Sequence, residues 1–453
     1  RRALFEMVHH LLLYAPACAQ NDFIHAIGYL IRRLDENTGG DNFLRHAFHV
    51  QVDSPQWHAL ENDFVESFPI IDNLREAPRR EQNRLEEHSL SAEQSDLEQF
   101  TNESDTDFSL SANYHFAENI IEQCLATRQQ EPRNIPLVID GEKIFSGGNC
   151  RKSVDPSEPA RIVATVRQAT SEEVARALRV AQRDQDGWRD QSPQQREMIL
   201  MRAAEEISRA RGELMAAALT DGGKTLGESD PEVSEAIDFA RFYTLSASDF
   251  FSQPDLRCRP IGAVVVVSPW NFPIAIPCGG VAAALAAGNT VILKPASEAV
   301  LPAYLLCECF YRAGISRRTL QLVPCRGTDQ GAQLAGSDQV DAVILTGGTA
   351  TAEAMLRNNP AMNLLAETGG KNATIVTALA DRDQAIAHVL HSAFGHSGQK
   401  CSATSLLILE GEVYDAPHFK EALVDAAESL AVGPAWQLES RVGPLSHPPA
   451  PLL

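Results

Sequence analysis

The chain has 453 residues, enough for two or three domains with well-buried cores. Sixty acidic against 39 basic residues leave a formal charge of −21, which argues against non-specific binding to nucleic acid or anionic lipid. Nine scattered cysteines, an odd number without paired spacing, read as reduced thiols of a cytoplasmic protein and not as a disulfide frame or zinc site.

Residues 1–50 are apolar-periodic. Phe23, Ile27, Leu30, Ile31 and Leu34 recur at helical spacing, so an amphipathic helix is predicted from Asp22 to Glu36, ending at Asn37-Thr38-Gly39-Gly40. Tyr29, Arg32 and Arg33 share one to two turns of it; the plainest reading of the arginines is a solvated pair. Residues 51–132 read as an acidic linker. Between Glu76 and Leu110 ten acidic residues stand against three basic ones, a composition that buries too little apolar surface to offset its ordering entropy. A helix near Ala117–Arg128 closes this stretch.

From Ile135 strands and helices alternate. Thr170 with Glu173 and Ser192 with Gln195 are capping boxes, the second with Pro193 at the first helical position. The apolar run from Ile261 to Val267 predicts a strand buried on both faces of a parallel sheet. A small-residue helix from Gly279 to Ala287 and a strand from Thr290 to Leu293 complete a β-α-β unit. Further strands are predicted at Leu320–Val323, Ala342–Leu345 and Thr374–Val376. This is the pattern of a doubly wound α/β domain, whose ligands bind at the carboxyl ends of the strands. The apolar stretch from Pro273 to Gly288 is short for a membrane span and reads as a buried helix.

The chemistry-bearing motifs fall at such ends. Cys401 lies in the polar turn Ser397-Gly398-Gln399-Lys400-Cys401-Ser402-Ala403-Thr404, just before the apolar run from Leu406 to Leu409, a setting for a reactive thiol. Upstream, Glu367 precedes the flexible Gly369-Gly370, and Asn271 lies in Ser268-Pro269-Trp270-Asn271-Phe272-Pro273. Thiol, carboxylate and amide are the parts of a nucleophile, general base and oxyanion donor. Glu367 equally suits a helix-cap carboxylate, and Asn271 a turn residue between two prolines. Lys294 ends a strand before Pro295, where a surface lysine is the bland alternative. Thr346-Gly347-Gly348-Thr349 follows a strand and opens an alanine-rich helix, whose exposed N–H groups suit a pyrophosphate. The Gly-x-Gly-x-x-Gly of a conventional Rossmann turn is absent. His388, His391 and His396 have no acidic or cysteine partner at ligand spacing, so no metal is expected.

In this order the motifs resemble those of the NAD(P)-dependent aldehyde dehydrogenases, and Pro136 to Glu142 resembles that family's opening strand. The resemblance implies NAD as cofactor, with contacts from Pro269, Trp270, Lys294, Ser297, Gly327, Gly347, Gly348 and Thr349. Ser297 stands where the family carries a glutamate, with Glu298 beside it. The resemblance also implies that Cys401 attacks an aldehyde, that the Asn271 amide and the Cys401 N–H hold the oxyanion, and that Glu367 activates water. Ser402 would bind a substrate carboxylate.

Near the start, Tyr29-Leu30-Ile31-Arg32-Arg33, with Tyr14 before it and Asn42-Phe43 after, resembles the last helix of the proline dehydrogenase barrel in bifunctional proline-utilisation proteins. There Tyr14, Tyr29, Arg32 and Arg33 would grip proline over FAD. Most of that barrel would precede Arg1, so FAD belongs to a parent protein and no proline oxidation is expected from this chain. The substrate implied is L-glutamate γ-semialdehyde, and the parent would be a homo-oligomer. The expected division is a barrel remnant at 1–50, the linker at 51–132, an NAD-binding domain at 133–367 and a truncated α/β catalytic domain at 368–453. Only 52 residues follow Cys401, without the Glu-x-Phe-Gly-Pro motif that holds the nicotinamide ribose in the family, so weak or no turnover is expected. Competing readings are an aldehyde dehydrogenase of other specificity and a non-catalytic docking or channelling module.

Overall fold

The computed structural model describes residues 23–39, 42–46, 50–71, 74, 79–86 and 97–447. The chain divides into two units, Arg1–Glu81 and Gln82–Leu453. In the first, the periodic stretch forms a helix from Phe23 to Thr38, followed by a helix over Pro55–Ile71. Ile27, Leu30, Ile31 and Leu34 lie exposed on the first helix. Arg32 and Arg33 both pair with Glu36 on the same helix, at 2.9 and 2.7 Å, and Arg33 Nε donates to the Tyr29 hydroxyl at 3.3 Å. Tyr14 lies outside the described residues.

The second unit starts inside the stretch expected to be a spacer, and there the composition misleads. The helix Ser111–Ala126 buries Ala117, Ile120 and Cys124 in the main core. The acidic segment before it is ordered by polar pairing. Glu103 Oε1 takes Arg84 Nη1 at 3.3 Å and Arg211 Nη2 at 3.1 Å, and the Thr106 N–H donates to Asp230 Oδ2 at 2.6 Å. Counting apolar side chains misses this, because charge-assisted hydrogen bonds to buried partners also offset ordering entropy.

Among the described residues twelve strands are present: β1 Arg133–Ile135, β2 Leu137–Ile139, β3 Glu142–Ile144, β4 Cys150–Asp155, β5 Glu158–Arg167, β6 Ala263–Val267, β7 Thr290–Lys294, β8 Leu320–Leu322, β9 Ala342–Gly347, β10 Leu364–Thr368, β11 Asn372–Val376 and β12 Thr404–Leu409. Seven of them form one sheet in the order β10-β9-β6-β7-β8-β2-β3. The run from β10 to β8 is parallel, while β2 and β3 add antiparallel strands at one edge. Strand β6 shows why its sequence is continuously apolar. Val264 and Val266 pack into one core with the helices Pro193–Arg209, Leu226–Ser252 and Ala275–Ala286, while Ala263 and Val265 pack into a second core with the helix Ser171–Arg183. Each buried valine contributes about 1.5–3 kcal/mol. The small residues of Ala275–Ala286 let that helix lie close on the sheet: a Cβ on Gly280 would sit 2.8 Å from Val266 Cγ1.

Both predicted capping boxes form, at Thr170/Glu173 and Ser192/Gln195. From β6 the chain winds outward through β7 to β8, then returns to place β9 on the other side of β6 and β10 beyond it. The switch point is between β6 and β9, and the crevice beyond their carboxyl ends is where an open α/β sheet binds ligands. After β10, β11 and β12 pair in parallel as a separate two-stranded sheet, with Ile375, Leu406 and Ile408 exposed. Among the described residues eight cysteines are free, and no helix is long and apolar enough to cross a membrane.

Candidate active site

Five carboxyl-terminal strand ends and the turn before β12 converge on one cavity of about 770 Å³. Strand β6 delivers Ser268, Pro269, Trp270 and Asn271; β7 delivers Lys294, Ala296, Ser297 and Glu298. Gly327 follows β8, Gly347 and Gly348 close β9, and Glu367 to Gly370 end β10. Gly398 to Ser402, with Cys401 among them, form another wall. Thus the thiol, the carboxylate and the carboxamide picked out by sequence share one cavity. Ser402, Lys294, Ser297, Gly327, Gly347, Gly348, Pro269 and Trp270 line it too. Thr349 is the exception: it does not line the cavity but begins the helix Thr349–Asn358, and a Cβ on Gly369 would come within 3.1 Å of its Oγ1.

The loop carrying Cys401 is held by side chains around it. Asn372 Nδ2 donates to the Cys401 carbonyl at 2.5 Å and to the Ala403 carbonyl at 3.3 Å. Gly370, at φ 155°, is needed for this approach, since any Cβ there would collide with the Cys401 carbonyl oxygen. Asn271 Nδ2 donates to the Gln399 carbonyl at 2.8 Å, two residues before the thiol. The Cys401 residue itself is exposed to the cavity.

At the other end, the helix Thr349–Asn358 starts at Gly348 without a side-chain cap, and Gly347, Gly348 and Thr351 at that end line the cavity; an uncapped helix start suits an anion. Lys294 is buried, with Nζ donating to the Pro295 carbonyl at 3.0 Å, and burial lowers the pKa of its ammonium group. Glu298 is paired with Arg151 at 3.3 Å. These features fit a dinucleotide: an uncapped helix start, a buried amine and the thiol all line one cavity.

Sequence reasoning missed the support beneath Asn271. Lys224 and Glu232 form a buried ion pair at 2.7 Å, Lys224 Nζ donates to the Asn271 carbonyl at 3.1 Å, and the ammonium lies 4.2 Å from the centre of the Phe272 ring. The spacing Thr225-x-x-Glu228 marks the following helix start, and the Thr225 N–H does donate to Glu228 Oε2 at 3.0 Å. No local pattern announces that Lys224 is buried.

Of the three histidines weighed as metal ligands, His388 and His391 are exposed on the helix Arg382–Phe394, whereas His396 is buried beyond its end. Burial, with Lys224 and Lys400 adding to it, pushes the His396 imidazole from 6.5 down to about 3. Between those values the unfolded chain binds the proton and the folded one does not. Stability is therefore intact above pH 6.5 and is lost as pH falls toward 3, by about 1.4 kcal/mol per pH unit. The melting-temperature gap between His396→Phe and the wild type should shift in favour of the variant from about pH 7 to pH 5. A gap that stays constant over this range would contradict a buried neutral imidazole.

A second cavity, of about 740 Å³, is lined by Phe116, Ile120, Arg161 and Arg211 among others. The thiol there is Cys124, pushed up to about 11 chiefly by burial, and it is no nucleophile at neutral pH.

The aldehyde dehydrogenase family matches residues 146–450 of the chain. The bifunctional protein PutA of Escherichia coli (strain K12) is 33% identical over 441 residues, which make up 96% of this chain and 32% of that protein. The chain thus spans about a third or less of the length of the curated PutA relatives it matches. The 1-pyrroline-5-carboxylate dehydrogenase of Staphylococcus haemolyticus (strain JCSC1435) is 33% identical over 352 residues, 74% of this chain and 67% of that one. A solved structure of 1-pyrroline-5-carboxylate dehydrogenase from Thermus with bound NAD aligns with a TM-score of 0.73 at 31% identity, covering 79% of this chain and 71% of the other. A doubly wound sheet, a cysteine and a glutamate at its switch-point cavity and a match across most of the folded unit lead to one conclusion: the chain belongs to the aldehyde dehydrogenase family.

Proposed function

We propose that the chain carries out the NAD-dependent oxidation of L-glutamate γ-semialdehyde, the hydrolysed form of Δ1-pyrroline-5-carboxylate, to glutamate. The observation that carries this reading is the single cavity holding Cys401, Glu367 and Asn271 together with Lys294 and the uncapped helix start at Gly348. The named relatives support the substrate. The PutA match also reaches 96% of the chain against 74% for the single-function dehydrogenase, so likeness to the bifunctional protein extends further along the sequence.

In this reading the Cys401 thiolate adds to the aldehyde carbon. The developing oxyanion is held by the Asn271 amide, which has a second N–H beyond the one given to Gln399, and by the Cys401 backbone N–H. Bound NAD would supply the hydride acceptor that turns the adduct into a thioester. Lys294 and the N–H groups after Gly348 would hold it. Glu367 then takes a proton from water, the hydroxide displaces Sγ, and the acid leaves with the thiol restored. Ser402 lines the cavity beside Cys401 and offers a hydroxyl to the substrate's carboxylate. Ser297 leaves no carboxylate at its own position to repel a 2′-phosphate, although Glu298 follows it.

The test is NADH formation from NAD⁺ and Δ1-pyrroline-5-carboxylate, with NADP⁺ and a panel of simple aldehydes in parallel. Weak or no turnover is expected from the sequence, so the burst of NADH is the quantity to read. A larger burst with the semialdehyde than with any simple aldehyde, and with NAD⁺ than with NADP⁺, is expected. A burst confined to other aldehydes would move the chain to another specificity.

A further inference from the structure

We infer that Gln399 is a positioning residue for this reaction: by locking its own loop onto the segment Gly443–Ser446 it sets the backbone carbonyl that orients the Asn271 amide. The inference rests on the function proposed above for Cys401 and Asn271. The main-chain carbonyl of Gln399 accepts from Asn271 Nδ2 at 2.8 Å, which decides which end of that carboxamide faces the thiol loop. An amide turned the other way would present a carbonyl oxygen to an oxyanion and repel it.

The side chain of Gln399 is as fully engaged as a carboxamide can be. Nε2 donates to the His396 carbonyl at 3.1 Å and to the Pro444 carbonyl at 3.4 Å. Oε1 accepts from the Ser446 N–H at 2.9 Å and from Ser446 Oγ at 3.1 Å. Beside it, Ser397 Oγ donates to the Gly443 carbonyl at 2.6 Å. The loop needs such anchoring because His396 and Ser397 both hold left-handed backbone, at φ 51° and 56°, without being glycine. One side chain therefore fixes a strained turn, and its backbone carbonyl fixes the oxyanion donor.

The experiment uses acylation of Cys401 by p-nitrophenyl acetate, in which the C–S bond forms, the ester C–O bond breaks and p-nitrophenolate leaves after a tetrahedral oxyanion. No cofactor takes part. Gln399→Ala should slow single-turnover acylation by about 10-fold or more, and Asn271→Ala likewise. The double variant should be no slower than Asn271→Ala alone, because Gln399 acts through Asn271. NAD binding, followed by fluorescence titration, should stay unchanged in Gln399→Ala. Wild-type acylation by Gln399→Ala, or losses that multiply in the double variant, would overturn the inference. If Gln399→Ala does not fold, Ser446→Ala removes one hydrogen bond to Oε1 and enters the same cycle, with a smaller loss expected and the same non-multiplying pattern required. The two readings separate cleanly. Acylation without oxidation of any aldehyde would sink the proposed function alone, whereas oxidation with wild-type acylation in Gln399→Ala would sink the inference alone.

Discussion

Cys401→Ala is expected to abolish the NADH burst while leaving the chain folded and able to bind NAD. The thiol is exposed at the cavity, and hydrogen bonds of Asn372, Asn271, Gln399 and Ser397, none of them made by the thiol, hold its loop. Alanine keeps the Cβ and removes the sulfur that would bond the aldehyde carbon. Loss of a covalent nucleophile costs about 10⁴-fold or more in rate, against a stability change expected within about 1 kcal/mol for an exposed side chain. The companion variant Glu367→Gln should behave differently. It keeps the thiol and so should still give one NADH per site, then stall at the thioester with a steady rate down by about 10²–10⁴-fold. Stopped-flow absorbance at the NADH band reads both. A Cys401→Ala protein that still forms NADH would remove the nucleophile assignment. A Glu367→Gln protein with a normal steady rate would assign the base to another group.

The parts of this molecule that were legible in sequence are those whose cause is local or periodic. Strand β6 could be read because burial on both faces makes every residue apolar, and the Thr170 and Ser192 caps because their partners stand three residues away. The site was legible by a different route: the order of its motifs pointed to a family, and strand ends carry ligands in a doubly wound sheet. What stayed hidden depends on side chains meeting from far along the chain. Thr106 meets Asp230, Glu103 meets Arg211, and an acidic stretch read as spacer becomes ordered. Gln399 looked like a turn residue, and its role lies in hydrogen bonds to a segment more than forty residues on. The side chain of Thr349 lies next to Gly369 and outside the cavity lining, a placement that its neighbours Gly347 and Gly348 do not announce.

Glu232→Ala is expected to be among the most destabilising single substitutions in the folded unit, and to impair the site through Asn271. Both members of the Lys224–Glu232 pair are fully buried, with side chains 1% and 0% exposed. Glu232 Oε1 also accepts the N–H groups of Ile274 and Ala275, at 2.7 and 3.1 Å, at the start of the helix Ala275–Ala286. Removing this carboxylate leaves an ammonium without its counter-charge and two amides without acceptors. Breaking one side of a buried pair costs about 3–5 kcal/mol, which urea unfolding midpoints would read directly. Replacing both residues with methionine should cost less, because no charge then stays buried alone, although the Ile274 and Ala275 amides still lose their acceptor. The double variant separates stability from chemistry. Its stability should recover in part while acylation of Cys401 stays slow, since nothing replaces the Lys224 hydrogen bond to the Asn271 carbonyl. Additive stability losses in the pair would mean that neither charge depends on the other. Wild-type acylation in the double variant would mean that the Asn271 loop holds its position without Lys224.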